Sequence, residues 1–264
     1  MRTLQVIGGG RMGEALVSGL LSGGWAPAGE LSIVEKLPAR RDELVARFPG
    51  VAVGAQVEAA QGALIAVKPN DVVAACEALA QAGRPARVLS VAAGVPIATL
   101  EGALGPAVAV VRAMPNTPAL VGAGVAAIAG GSAATPGDLA WARGILGAVG
   151  TVVEVTEGQL DAVTGLSGSG PAYVFLVAEA LIEAGVLAGL ARPVAEQLAI
   201  GTLAGSAKLL ADSGRPAAEL RADVTSPGGT TAAGLRALED RAVRAAFLDA
   251  VMAATARSAE LGRG

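Results

Sequence analysis

Two short stretches of the sequence crowd glycine and small hydroxyl residues against the start of a helical pattern: Gly8-Gly9-Gly10-Arg11-Met12-Gly13 and Ser226-Pro227-Gly228-Gly229-Thr230-Thr231. Such residues leave backbone N–H groups uncovered at the positive end of a helix, and the chemistry they offer is the binding of anions. The first stretch has the spacing G-x-G-x-x-G. Gly8 permits a tight turn, Gly10 lets a pyrophosphate approach the backbone, and Gly13 lets the helix pack closely. The stretch follows an apolar strand pattern, opens a helix, and precedes by about 20 residues an acidic side chain, Glu35, at the end of the next strand, which is the context of a βαβ dinucleotide site. Glu35 would bind ribose hydroxyls and favour NADH. Arg11, Lys36, Arg40 and Arg41 are cations that either neutralise the 2′-phosphate of NADPH or solvate a helix face, so both cofactors stay open.

What the chain lacks narrows the chemistry further. It has no histidine, which excludes Ser-His-Asp and Cys-His catalysis and the usual zinc sites, and no metal site is expected. Its one cysteine, Cys76, can form no intrachain disulfide, and the sequence fits a reducing cytoplasm. The formal charge of −3, with acidic and basic residues interspersed, offers no field for nucleic acid or anionic lipid. The most apolar stretch, residues 171–190, contains Glu179 and Glu183; both are costly in hydrocarbon, so the expectation is a buried helix rather than a membrane span.

The elements that must position these residues follow from periodicity. With 53% apolar and 16% charged residues the chain is globular, and with 264 residues it can hold two modest domains. Apolar runs at residues 4–7, 31–35, 51–53, 63–67, 88–91, 107–112, 125–128 and 152–155 read as strands. They alternate with helical stretches, including 13–21, 39–47, 72–80 and 139–146, the last preceded by the helix-start pair Thr135-Pro136. After Thr156 only helices are expected: 159–164, 171–187, 193–210, 230–239 and 241–261. The fold class is therefore an α/β, doubly wound, mainly parallel domain over residues 1–157, followed by an all-α domain over residues 158–264.

Five more segments interrupt apolar runs with turn-forming or small polar residues: AVKPND (66–71), SVAAGV (90–95), RAMPNTPALVGAG (112–124), SGSGPAY (167–173) and DVTSPGGTTAAGL (223–235). Together with the opening loop they resemble, in order and from end to end, pyrroline-5-carboxylate reductase. The resemblance implies a Rossmann domain joined to a helical dimerisation domain, NADPH- or NADH-dependent reduction of the cyclic imine 1-pyrroline-5-carboxylate to L-proline, and a homodimer, in the family often assembled further into larger rings. It implies cofactor contacts at Gly8, Gly10, Arg11, Met12, Gly13, Glu35, Lys36, Val67, Lys68, Pro69, Ala93, Gly94 and Asn116. Substrate contacts would come from Ser226, Gly228, Gly229, Thr230 and Thr231, with Thr231 the candidate to hydrogen-bond the imine nitrogen. Arg11 departs from the asparagine common at its place in the family. The spacing Gly165, Gly168, Gly170 is also similar to β-hydroxyacid dehydrogenases, but Val174 and Ala178 stand where those enzymes carry lysine and asparagine, which removes the general acid for alcohol chemistry. A reductase of another small imine or keto acid, and a non-catalytic dinucleotide sensor, are the alternatives.

Overall fold

The computed structural model describes residues 2–262. Contacts divide the chain into two compact units: residues up to Ser169 together with those from Met252 onward, and Gly170–Val251.

The first unit is built on eight strands: β1 (Arg2–Ile7), β2 (Leu31–Val34), β3 (Ala52–Gly54), β4 (Ala60–Ile65), β5 (Arg87–Ser90), β6 (Ala109–Met114), β7 (Gly124–Gly130) and β8 (Gly150–Glu154). They form one sheet in the order β3-β2-β1-β4-β5-β6-β7-β8, parallel throughout except where β7 runs antiparallel to β6. Helices α1 (Arg11–Ser22), α2 (Pro38–Arg47), α3 (Val72–Ala82), α4 (Ile97–Leu104) and α5 (Pro136–Gly147) cover it. The period of two along each strand divides the core between the two faces. Leu4 and Val6 of β1 join Leu16 and Leu20 of α1 and Ile33 of β2 on one side, while Ile7 joins Ile65, Val72, Cys76 and Leu100 on the other. Because β1 feeds β2 on one side and lies beside β4 on the other, the strand order reverses between β1 and β4, the place where such sheets open a crevice at their carboxyl ends.

Every expected strand is present, with shifts at the ends. β4 closes at Ile65, two residues before the expected end, although Ala66 N–H still donates to the carbonyl of Ile7 in β1 (2.8 Å). Lys68-Pro69 therefore does not end the strand; Pro69 instead opens a short 3-10 turn, Pro69–Asp71. α4 was absent from the expected helices. It follows Pro96 and buries Ile97, Leu100 and Leu104, an apolar stripe only two turns long. The Thr135 signal forms a full capping box with Asp138 at the start of α5. Beyond β8 come a short helix α6 (Leu160–Val163) and a single π-turn, Thr164–Gly168.

The second unit contains α7 (Gly170–Leu187), α8 (Arg192–Ser213), α9 (Ala217–Asp223), α10 (Thr230–Asp240) and the start of α11 (Val243–Leu261). The expected helix from Arg241 begins later because Ala242 takes φ +54°, which breaks it from α10. α7 and α8 approach closely at Gly185, where a Cβ would sit 3.0 Å from the Ala195 methyl.

One expectation is overturned here: α7 is not buried. Val174, Phe175, Leu176 and Leu187 are all exposed, the last at 90%, and Ala195 and Ala199 are the only buried residues among those described in this unit. A helix apolar on every side needs cover on every side, and within this unit α7, packed against α8, is left largely exposed. The continuous helical run 157–187 has the length and mean hydropathy to cross a membrane, and it carries Glu179 and Glu183 near its end.

Candidate functional site

At the switch point between β1 and β4 lies a cleft of about 540 Å³, lined by Gly8, Gly10, Glu35, Lys36, Val67 and Lys68 among others. Its floor depends on two glycines. Gly8 has φ +105°, and a Cβ there would lie 2.6 Å from the carbonyl oxygen of Ala66; a Cβ on Gly13 would collide with the carbonyl oxygen of Gly8. The helix start is thus pressed against the strand end. Gly10, the N-cap of α1, is the opposite case: nothing lies within 4 Å of a Cβ built there, and no side chain caps the helix. The first-turn amides of α1 face that open space, which fits the diphosphate of a dinucleotide.

The rim is held by charge. The carboxylate of Glu35 accepts from Gly9 N–H (3.0 Å) through Oε2 and from Leu37 N–H (2.9 Å) through Oε1, so it is locked to both sides of the loop. Arg40 is engaged on three sides. Its Nε donates to the Gly9 carbonyl (2.9 Å), while its terminal nitrogens bind Glu14 and Glu43, and these two hydrogen bonds, Glu43's first, hold its pKa above the ordinary value. Arg41 Nη1 donates to the carbonyls of Glu35 and Lys36. Lys36 pairs with Asp71 at 3.2 Å, and both line the cleft. Leu37, Asp71 and Ala74 also line it and were not singled out from the sequence; Asp71 was readable within AVKPND, where it follows the strand end.

Other expected residues sit apart from this cleft's lining. Gly94, in the turn after β5, has φ +74°. Asn116 is 9% exposed, with its amide tied at both ends: Nδ2 donates to the Ser167 carbonyl (3.1 Å) and Oδ1 accepts from Val125 N–H (2.9 Å). It therefore links the loop after β6 to the π-turn and to β7. π-turns recur at functional sites, and this one presents the SGSG segment. Beside it Glu157 accepts from Arg112 (3.0 Å) and from the first amide of α4, Ile97 N–H (2.7 Å).

In the helical unit, Gly228 takes φ +71° and Gly229 is the N-cap of α10 with no side-chain cap; Gly229 N–H closes the turn on the Ser226 carbonyl (3.0 Å). Thr230 and Thr231 are exposed in the first turn. Hydroxyls and uncapped amides thus converge at a second helix start. Among the described residues no group of three His, Cys, Asp or Glu could hold a metal ion.

A doubly wound sheet with an open glycine cradle at its switch point defines a dinucleotide-binding protein of the Rossmann class. Residues 157–261 match the family described as pyrroline-5-carboxylate reductase dimerisation, and residues 3–94 match NADP oxidoreductase coenzyme F420-dependent. The chain is 44% identical to a pyrroline-5-carboxylate reductase of Synechocystis sp. over 98% of both chains. Among solved structures it is similar to a pyrroline-5-carboxylate reductase from Coxiella burnetii (TM-score 0.93, 34% identity, 98% of both chains). It is also similar to the pyrroline carboxylate reductase of Plasmodium falciparum with NADP bound (TM-score 0.86, 29% identity, covering 99% of this chain and 98% of that one). The chain belongs to the pyrroline-5-carboxylate reductase family.

Proposed function

We propose that this chain reduces 1-pyrroline-5-carboxylate to L-proline with NAD(P)H, the last step of proline biosynthesis, in the cytoplasm. The open space over Gly10 at the uncapped start of α1 carries the reading, since a diphosphate fits there without displacing a side chain. When bound, NAD(P)H supplies the hydride. The chain's own groups bind and orient. The α1 amides hold the diphosphate, and Glu35, Lys36, Val67, Lys68 and Pro69 border the adenosine. The backbone from Gly228 to Thr231, with the hydroxyls of Ser226 and Thr230, clamps the substrate carboxylate. Thr231 hydrogen-bonds the ring nitrogen. A threonine hydroxyl is a very weak acid, so it orients a water or an already protonated imine rather than ionising.

Residues 158–264 form the substrate-binding and dimerisation domain, and the homodimer is formed through its helices, a reading supported by the exposed apolar surface of α7. Following NAD(P)H absorbance with pyrroline-5-carboxylate, once with each cofactor, tests the reaction: loss of absorbance dependent on both chain and substrate is expected, and no oxidation would sink it.

A further inference from the structure

We infer that Glu35 makes this chain discriminate at the adenosine 2′-position and take NADH in preference to NADPH; the inference rests on the dinucleotide reading of the cleft. Glu35 lines that cleft and cannot turn aside. Moving it would break two backbone hydrogen bonds at once, from Gly9 and from Leu37. A carboxylate held by one amide on each oxygen keeps lone pairs for ribose hydroxyls, which donate. A 2′-phosphate only accepts and carries charge of the same sign, so it meets repulsion with no hydrogen bond in return.

Of the cations beside Glu35, the fold already employs Lys36 and Arg40 in ion pairs. Arg40 is shared among the Gly9 carbonyl, Glu14 and Glu43, and Glu14 also binds Arg47 (2.8 Å). Lys36 lies against Asp71. Arg41 alone among these has no carboxylate partner among the described residues, and its Nη1 is taken by two backbone carbonyls. Lys36, Arg40 and Arg47 are thus already paired with carboxylates, whereas Arg41 and, in the lining of the same cleft, Lys68 carry no ion pair among the described residues. A phosphate dianion drawn to Lys36 or Arg40 would have to unmake a pair there. NADH asks for no such change.

The test is direct binding, without substrate: titrate the purified full chain with NADH and with NADPH and follow the enhancement of cofactor fluorescence. The expected result is a Kd for NADH roughly ten-fold or more below that for NADPH at moderate salt. Glu35→Gln, which keeps an acceptor for one amide but removes the charge, should bring the ratio towards one by tightening NADPH. Equal or tighter binding of NADPH to the unaltered chain overturns the inference, and so does a ratio that Glu35→Gln leaves unchanged. An NADPH affinity that exceeds NADH's and collapses in Arg41→Ala would identify Arg41 as a phosphate ligand, also overturning it. Binding of neither cofactor removes the dinucleotide reading as well. Preferential NADH binding without turnover of pyrroline-5-carboxylate leaves this inference standing and sinks the proposed reaction. The ratio in the unaltered chain decides even if Glu35→Gln does not fold.

Discussion

At the scale of single residues, the three motif glycines of the dinucleotide loop, Gly8, Gly10 and Gly13, do separable work. Gly10 has open space where a Cβ would go, whereas Gly8 and Gly13 have carbonyl oxygens there. Gly10→Ala should therefore leave thermal stability within about 1 kcal/mol of the unaltered chain while raising KM for NAD(P)H about ten-fold or more, as the methyl intrudes on the diphosphate. Gly13→Ala should instead destabilise by about 2–4 kcal/mol, because the helix must lift from the strand. Denaturation curves and kinetics on the two variants read both outcomes. A Gly10→Ala chain with unchanged KM would remove the diphosphate from this position. Thr231→Ala should lower kcat about 10- to 1,000-fold if its hydroxyl assists proton delivery; an unaltered kcat with a raised KM would make it a binding group only.

At the scale of elements, two pieces of local chemistry set pH behaviour. In the capping box of α5, burial alone would raise the Asp138 carboxyl, but hydrogen bonds from the Thr135 hydroxyl and amide, together with Arg87, outweigh it and hold the pKa below its ordinary value. A depressed carboxyl stabilises the fold at neutral pH and loses that contribution as pH falls through the folded-state value. Thr135→Ala should cost about 1 kcal/mol at pH 7 and less in acid, measured by urea unfolding at both pH values. On α3, burial, with a smaller push from Glu77, raises the Cys76 thiol from 9.0 to about 11. The folded chain then holds a proton that the unfolded chain releases. Stability from this group is intact below pH 9 and should decline by up to about 2 kcal/mol as pH rises to about 11, a decline that Cys76→Ala should lack.

At the scale of the whole molecule, the helical unit does not bury its own apolar surface. Phe175 and Leu176 on α7, Leu198 on α8 and Leu248 on α11 are all exposed, and α7 is apolar nearly all round. In water that surface is costly at about 25 cal/mol per Å² left uncovered, and a second copy of the same helices is the cover proposed for it. Leu176→Glu should shift sedimentation towards the monomer and reduce activity with it. A variant that still sediments as the unaltered oligomer would place the contact elsewhere.

Much of this protein was legible in its sequence because the relevant physics is local. A period of two against a period of 3.6 distinguishes strand from helix, so all eight strands and the change to helices after β8 could be read from residue order. The glycine spacing marked the turn into α1, and Thr135-Pro136 marked the start of α5, because caps and tight turns involve residues three or four apart. Tertiary structure decided what depends on partners far along the chain. Nothing near Arg40 in the sequence says that Glu14 and the Gly9 carbonyl will occupy it, nor near Asn116 that Ser167 and Val125 will. β7 turns antiparallel through its pairing with β6. Composition showed that α7 must be covered; packing showed that much of its apolar surface stays exposed, because cover depends on which elements meet it in space.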